Sequence, residues 1–324
     1  MNNEHPLRIG ILGAARIAEQ AIVRPAATHG GAIVQCVAAR DPARARNFAD
    51  VHGVPKVADN YAALLARDDI DLVYIALPPA AHRQWAEQAA AAGKAVLCEK
   101  PFALDVADAV AMVAAAEAAG QPLIEGFHYR FHAMFRSVER LIADGAIGRP
   151  TGANAWLQYP IPDGADEHRW SPALGGGALM DLGCYPLHAL RTLFRAEPEV
   201  IAADRTIERD VDACMSARLR FPGGAGGAIR ASMRTDAPSS GIVVTGERGR
   251  IEVRNFILPQ RGAEARLIAD GRETSIAIEG ASTYAAQLDH VIDVMRGRAP
   301  PLTGGADAIA NMRAIDAIRA AYAA

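Results

Sequence analysis

The stretch "GILGAARIA", residues 10–18, links an apolar run to an alanine-rich segment near the start of the chain. The run "LRIGILG" that leads into it is typical of a buried parallel strand, and the alanine-rich segment is typical of a helix. In such a strand–turn–helix unit the amides at the helix start attract an anion, and a G-x-G-x-x-G pattern marks a turn that holds a dinucleotide pyrophosphate. Here the three glycine positions are Gly13, Ala15 and Ala18.

The alanine in the middle of this pattern is its main departure from the usual turn. Glycine there lets the backbone approach the pyrophosphate, so the methyl group of Ala15 is expected to displace the phosphates slightly. The amides at the helix start remain, and Arg16 adds a positive charge. We therefore predict that the pyrophosphate is held by Gly13, Ala14, Ala15, Arg16 and Ile17. A plain turn without a ligand is the alternative.

The end of the next strand indicates which nucleotide is bound. The strand "AIVQCVAAR", residues 32–40, ends on Arg40, where NAD-binding proteins carry an acidic residue that binds the ribose hydroxyls. A guanidinium suits a 2′-phosphate by its charge and its forked geometry. Asp41 is interpreted as the cap of the following helix. The sequence therefore predicts NADP, with NAD as the weaker alternative.

Strands and helices alternate through the first part of the chain, which predicts βαβ units and a doubly wound parallel sheet. The predicted strands are residues 7–13, 32–40, 69–77, 95–101 and 121–127. After residue 150 the pattern changes to short alternating strands with turn residues between them, which predicts a large open, mostly antiparallel sheet.

The predicted fold class is thus α/β plus α+β. We expect a Rossmann dinucleotide-binding domain at residues 1–125 and a substrate-binding and oligomerisation domain at residues 126–324. The terminal apolar-periodic helix, 306–323, is a candidate to pack back toward the N-terminal domain.

Composition excludes several function classes. The net charge of −3 over 324 residues argues against a nucleic-acid partner, and no apolar run reaches the roughly 18 residues of a membrane span. The four cysteines form no CxxC pair, and the N-terminus lacks the features of a secretory signal, so we expect a cytoplasmic protein. No HExxH or other metal-ligand spacing is present, so no metal is expected.

Two further stretches carry candidate chemistry: "CEKP", residues 98–101, and "LGGGALMDLGCYPLH", residues 174–188. Lys100 follows a predicted strand at the sheet edge where ligands bind. Asp181, Tyr185 and His188 recur at helical spacing and so share a face. Oxidation of a hydroxyl needs a base for its proton. A tyrosine, with a pKa of about 10, becomes one when a lysine ammonium stabilises its phenolate. A packed aromatic and a solvated lysine are the alternatives.

These motifs, with "EGFHYRFH" at residues 125–132, "RWSPALGGG" and "ANMRAIDAI", together resemble the glucose–fructose oxidoreductase, inositol dehydrogenase and rhizopine-catabolism (Gfo/Idh/MocA) family. Within it, the chain is similar to the branch that contains NADP-dependent D-xylose 1-dehydrogenase and dimeric dihydrodiol dehydrogenase. The resemblance implies hydride transfer between a nicotinamide and a sugar or related cyclic polyol. It also implies Tyr185 as acid/base, Lys100 as its electrostatic partner, and Asp181 as a residue that holds Lys100 or accepts a substrate hydroxyl.

The resemblance assigns further residues to binding. Those expected near the cofactor are Leu77, Pro78, His82, Glu99, Lys100 and Pro101, with His82 interpreted as a support of its loop. Those expected near the substrate are His128, Arg130, Trp170, Asp181, Tyr185 and His188; a packed junction is the alternative for the segment with His128 and Arg130.

Two other functions stay open from the sequence: a keto-sugar or imine reductase of the same fold, and a non-catalytic NADP-binding regulator. Family members often pair through the open sheet, so we also expect a homodimer or homotetramer.

Overall fold

The computed structural model describes residues 5–164 and 167–322. They fall into two compact units, drawn from the ranges Met1–Phe127 with Tyr284–Ile309, and His128–Thr283 with Ala310–Ala324. The expected division at residues 125 and 126 differs from this grouping, because 284–309 belongs with the first unit. The physical reason is hydrogen bonding at the edge of the sheet, where the Thr303 hydroxyl donates to the carbonyl of Glu125 (2.7 Å) and the Glu125 amide donates to the carbonyl of Thr303 (3.2 Å).

The first unit contains a six-stranded parallel sheet, as expected. Its strands are β1 Leu7–Leu12, β2 Ala32–Ala38, β3 Lys56–Val57, β4 Leu72–Ile75, β5 Ala95–Cys98 and β6 Leu123–Glu125. They lie in the order β3-β2-β1-β4-β5-β6, which is the doubly wound order that binds dinucleotides beside the first strand. The two-residue strand β3 was not predicted, because it is too short to carry an apolar period.

Helices alternate with these strands. In chain order the α-helices are α1 Arg16–Ala18, α2 Arg24–Thr28, α3 Pro42–His52, α4 Tyr61–Leu65, α5 His82–Ala91, α6 Val106–Ala118, α7 Ala133–Ala143, α8 Cys184–Phe194, α9 Thr283–Met295 and α10 Gly305–Ala321. The predicted cap of α3 is confirmed: the Asp41 carboxylate accepts from the Ala43 amide (2.8 Å), and Gly53 ends the helix in the left-handed conformation. Helix α9 was missed by the sequence reading, and the last residues of the predicted terminal helix lie outside the described residues.

The second unit is built on an eight-stranded sheet in the order β14-β13-β12-β11-β7-β10-β9-β8. All of its pairings are antiparallel except β7 with β10. The strands are β7 Pro150–Gln158, β8 Glu199–Glu208, β9 Val211–Arg220, β10 Gly226–Ser232, β11 Ser239–Gly246, β12 Gly249–Arg254, β13 Glu264–Ala269 and β14 Arg272–Ser275. The turn "FPGGA", residues 221–225, joins β9 to β10 in a hairpin, and helix α8 packs on β7.

Within the described ranges, no helix has the length and apolar character needed to cross a bilayer.

Candidate active site

The turn after β1 brings three strand ends together in the first unit. Gly13 has a φ of +102°, and its amide donates to the carbonyl of Ala38 at the end of β2 (2.8 Å). A Cβ at Gly13 would lie 2.5 Å from the carbonyl oxygen of Ala76, after β4. Only glycine fits this position, both because of its φ and because of this approach.

The remaining residues of the predicted phosphate turn form the helix start. Ala15 is extended (φ −89°, ψ 147°) and α1 begins at Arg16, with Ile17 as its second residue. Ala15 has no side-chain oxygen, and no side chain caps the helix start, as in turns where a helix N-terminus faces a dinucleotide phosphate. After Ala18 the helix widens into a π turn, Glu19–Val23, before α2. The structure therefore places these residues, with Ala14, where the sequence predicted a pyrophosphate site.

Arg40 lies exposed just beyond β2, as expected for a residue that reads the ribose phosphate. Burial raises the pKa of Tyr61, while the Arg40 backbone and the charges of Arg40 and Arg44 oppose that rise. A recess of about 440 Å³ is lined by Ala14, Arg44 and Phe48, among others. Arg44 was missed by the sequence reading; its spacing of four from Arg40, in the first turn of α3, was the available signal.

His82 ties two of the predicted cofactor loops together. It begins α5, its ring is fully buried, and its Nε2 lies 2.8 Å from the carbonyl of Leu77, beside Pro78. Its Nδ1 lies 3.1 Å from the carbonyl of Pro101. Burial lowers the pKa of His82. The imidazole therefore connects the loop after β4 to the loop after β5 and supports them, the role expected from the sequence.

Glu99 and Lys100 follow β5 at the same sheet edge. The Glu99 amide donates to the carbonyl of Ile75 (3.0 Å), and the buried Tyr74 hydroxyl donates to the Glu99 carboxylate (2.6 Å). Lys100 is half-buried and precedes Pro101 through a cis peptide bond. The fixed Glu99 therefore holds the backbone from which Lys100 projects.

In the second unit, the segment with Asp181 departs from the regular helix that its spacing predicted. Leu179–Gly183 forms a π turn, and α8 begins after it at Cys184. Pro186 lacks an N–H, so the helical ladder loses a bond at this point, and the Cys184 thiol instead approaches the carbonyl of Asp181 (3.8 Å). Such turns are frequent at functional sites.

Asp181 is held by a residue that the sequence reading missed. The Arg169 Nε donates to Asp181 Oδ2 (2.8 Å), and its Nη1 donates to Glu167 (2.8 Å). The charge of Asp181, with that of Glu167, raises the pKa of Arg169 although burial opposes it. Arg169 lies within the quoted "RWSPALGGG", but only the fold shows that it faces a carboxylate twelve residues later.

Tyr185 is surrounded by aromatic and imidazole rings. Its Oη lies 3.2 Å from His128 Nε2, and its ring centroid lies 5.9 Å from that of Tyr129. The Tyr129 hydroxyl in turn lies 2.5 Å from Nδ1 of His188. Tyr185 is only 6% exposed and His128 only 2%. The structure thus brings together three predicted site residues, Tyr185, His128 and His188, around Tyr129, which was not assigned a role.

Two predicted substrate residues are engaged elsewhere. Arg130 forms an ion pair with the half-buried Glu139 and lies over the Phe135 ring (5.8 Å). Trp170 is 6% exposed, and the Arg234 guanidinium lies 4.3 Å from its ring centroid. Neither residue is placed to bind a sugar directly. The charge of Arg130 is neutralised by Glu139, and the indole face of Trp170 is covered by Arg234.

Across residues 5–164 and 167–322 there is no group of three or more His, Cys, Asp or Glu suited to hold a metal ion.

Both halves of the chain match known families. Residues 7–127 match the Gfo/Idh/MocA family model, which is described as an oxidoreductase family with an NAD-binding Rossmann fold. Residues 135–252 match the model of the GFO/IDH/MocA C-terminal domain. The resemblance inferred from the motifs is therefore confirmed.

Individual relatives agree with this assignment. The chain is 34% identical over 316 residues to D-xylose 1-dehydrogenase (NADP(+)) 2 of Haloferax volcanii, covering 96% of each chain. Its fold matches aldose-aldose oxidoreductase from Caulobacter crescentus with a TM-score of 0.90, 30% identity and 98% of each chain covered. It also matches KijD10, a 3-ketoreductase from Actinomadura kijaniata solved with NADP and TDP-benzene, with a TM-score of 0.89, 26% identity and 98% of each chain covered. This chain belongs to the Gfo/Idh/MocA oxidoreductase family.

Proposed function

We propose that this chain is an NADP-dependent oxidoreductase that transfers hydride between the nicotinamide and a sugar or related cyclic polyol, with Tyr185 as its acid/base. The observation that carries the proposal is the buried Tyr185 hydroxyl beside His128 Nε2 (3.2 Å). A hydroxyl held against an imidazole can exchange a proton with it, whereas a purely packed tyrosine needs only a backbone partner.

The first unit fits the cofactor. The close approach at Gly13 and the uncapped helix start at Arg16 suit the pyrophosphate. Arg40 and Arg44 suit the 2′-phosphate, since both charges act on one point near Tyr61. Glu99 and Lys100 stand at the edge of the sheet where the nicotinamide of related folds is bound.

The proton is handled by residues of this chain. In oxidation, Tyr185 Oη takes the hydroxyl proton of the substrate as the carbon loses its hydride. Bound NADP⁺ would supply the hydride acceptor. The proton that Tyr185 has gained is passed to His128 Nε2, which lies within hydrogen-bonding distance. Reduction runs through the same steps in reverse.

Lys100 and Asp181 are assigned to support Tyr185 in this proposal. We propose that the Lys100 ammonium stabilises the phenolate and orients the substrate hydroxyl. The Asp181 carboxylate, fixed by Arg169, orients Lys100 or a second substrate hydroxyl. A tyrosine, a lysine and a carboxylate are residue types that suit proton transfer, so this combination favours an enzyme over a cofactor-binding regulator.

The substrate class is tested by measuring NADP⁺ reduction across pentoses, hexoses, inositols and aromatic diols, with NAD⁺ as the control. Turnover on aldoses with NADP⁺ is expected. Tight NADP⁺ binding without turnover on any member, in either direction, would contradict catalysis and support a regulator.

A second candidate, reduction of a keto-sugar, is favoured by the likeness to a 3-ketoreductase at a TM-score of 0.89. The same panel run with NADPH and the corresponding ketones tests this candidate, because a keto-sugar reductase reduces one class of ketone with a kcat/KM well above that for the other members of the panel.

Arg40→Ala is expected to weaken NADP⁺ binding by about 10- to 100-fold, because a hydrogen bond to a charged phosphate contributes about 1.5–3 kcal/mol. Binding of NAD⁺, which lacks the 2′-phosphate, should change little. Isothermal titration calorimetry with NADP⁺ and with NAD⁺ gives both constants, and Arg46→Ala, an exposed arginine on the following helix α3, is the matched control. Equal weakening of both cofactors would exclude a role in reading the phosphate.

We further propose a homodimer or homotetramer formed through the open face of the eight-stranded sheet. Burial alternates along β9, so one face of this sheet is covered within the chain and the other is open. Light scattering at micromolar concentration is expected to give a dimer or tetramer mass; a monomer mass would exclude this assembly. We also propose a cytoplasmic location, which the four free thiols support because disulfides are rare in that compartment.

A further inference from the structure

Asp212 stands at the start of β9 and contacts the chain just before the helical segment that carries Asp181 and Tyr185. Its Oδ2 accepts from the Leu179 amide (2.7 Å). Its Oδ1 faces Gly177 so closely that a Cβ there would lie 2.0 Å from this oxygen. Gly177 is the last of three consecutive glycines, Gly175–Gly177, called the triplet below. It also has a φ of +113°, so a glycine is required at this position both by the backbone conformation and by the nearby Asp212 carboxylate.

The triplet is fixed on its other side as well. The Gly177 amide donates to the carbonyl of Arg169 (3.0 Å), and its own carbonyl accepts from the Asp181 amide (2.9 Å). A Cβ at Gly176 would lie 2.5 Å from the carbonyl of Arg169. The backbone that leads into the site is therefore clamped between Arg169, which also binds the Asp181 carboxylate, and Asp212.

We propose that Asp212 is a positioning residue that sets Tyr185 for proton transfer by anchoring the Gly177–Leu179 backbone. This inference rests on the proposed function of Tyr185, and the contacts that carry it lie within the second unit. The anchor acts through geometry: a small displacement of a reacting group lowers the rate strongly without preventing substrate or cofactor binding.

The surroundings of Asp212 disfavour the charged form of its carboxyl group. Burial raises its pKa to about 6, although the Leu179 amide, Arg319 and Arg205 oppose the rise. Tyr322 of the terminal segment is also close, since the charge of Asp212 contributes to raising the pKa of that tyrosine.

Because burial raises the pKa of Asp212, the ionisation of this carboxyl group changes the stability of the folded protein. The folded pKa lies above the unfolded value, so the stabilising contribution of the protonated carboxyl is complete below the unfolded pKa and is lost as the pH rises through about 6. At pH 8 the ionised Asp212 therefore costs stability. An asparagine keeps an acceptor for the Leu179 amide without the charge, so Asp212→Asn is expected to unfold at a temperature no lower than the native protein at pH 8.

The same variant is expected to be a poorer enzyme. The neutral amide of asparagine accepts a weaker hydrogen bond than the Asp212 carboxylate. In addition, one of the two carboxylate oxygens that face the turn is replaced by an NH₂ group. We expect kcat to fall by about tenfold in Asp212→Asn and by up to about a hundredfold in Asp212→Ala, with the Kd for NADP⁺ unchanged. Asp204→Asn, an exposed aspartate on neighbouring β8, is the matched control and should leave kcat unchanged.

A double-mutant cycle separates positioning from a general structural role. If Asp212 acts through Tyr185, Asp212→Asn lowers kcat in the native background but by less than about twofold in Tyr185→Phe. Equal loss in both backgrounds, or no loss in the native one, overturns the proposal. If Tyr185→Phe retains near-native turnover, the proposed function of Tyr185 has failed instead.

Hydrogen exchange supplies a readout that does not depend on turnover. Asp212→Asn should speed exchange in a peptide spanning residues 177–187, while core strands of the same sheet exchange at the native rate. Unchanged exchange in this peptide also overturns the proposal. The exchange measurement replaces the double-mutant cycle as the test where the residual turnover of Tyr185→Phe is too low to measure.

Discussion

Tyr185→Phe is expected to lower kcat by about 10²- to 10⁴-fold, the range that general acid–base catalysis contributes. The substitution removes only the hydroxyl oxygen, so the ring keeps its contacts with His128 and Tyr129 (centroids at 5.8 and 5.9 Å). Because the lost interaction is made with the reacting proton, kcat and kcat/KM should fall together. Steady-state kinetics with the best substrate of the panel, in both directions, measure the effect.

Cofactor binding provides the internal control for this variant. The dissociation constant for NADP⁺ should stay within about twofold, since uniform binding of the cofactor does not depend on this hydroxyl. Tyr159→Phe, on a tyrosine that is 49% exposed, is the matched control and should retain native turnover. A Tyr185→Phe enzyme with near-native kcat would remove the acid/base assignment, and His128 would be the next residue to replace.

The glycine turn after β1 and the Rossmann sheet follow from local sequence, and for that reason their backbone structure was predictable. The apolar period, the glycine at the turn and the Asp41 cap each act over a few residues, and the predicted parallel sheet is confirmed. Arg40 was predictable too, because a strand end and the identity of one residue suffice to place a charge at the sheet edge.

The interactions that hold the candidate catalytic residues were not predictable, because they join distant parts of the chain. Tyr129 and His188 are 59 positions apart, and Asp212 and Leu179 are 33 apart. Nothing in the local pattern marks Arg169 as the partner of Asp181. The sequence thus identifies the residues whose type suits the reaction, whereas the fold identifies those that hold them.

Long-range pairing also explains the difference in domain organisation. The Thr303 hydroxyl bonds the carbonyl of Glu125 across 178 positions, and a Cβ at Gly304 would lie 2.2 Å from the carbonyl of Leu123. Segment 284–309 therefore belongs with the first unit although its composition resembles that of the residues around it. The change of sequence pattern near residue 150 marks where the parallel sheet gives way to the mostly antiparallel sheet. It does not indicate that a later segment of the chain belongs with the first unit.

Lys100→Met is expected to lower kcat by about a hundredfold or more at pH 7 and to move the alkaline rise of kcat to higher pH by at least about one unit. Methionine keeps most of the length and apolar volume of the side chain but removes its charge. If that charge stabilises the ionised form of Tyr185, its loss leaves the base protonated at neutral pH, and raising the pH restores part of the rate. The full pH–rate profile of the variant therefore tests electrostatic assistance more sharply than a single rate.

A matched variant separates this effect from damage to the loop. Lys94→Met, on a half-buried lysine before β5 whose ammonium binds the carbonyls of Arg67 and Ile70, alters the same strand at its other end and should leave the pH profile unchanged. Lys100→Arg keeps the charge, so it should retain the native position of the profile even where a changed geometry lowers its height. A Lys100→Met profile that falls uniformly at all pH values would exclude the electrostatic role and leave Lys100 as a residue that orients the substrate hydroxyl.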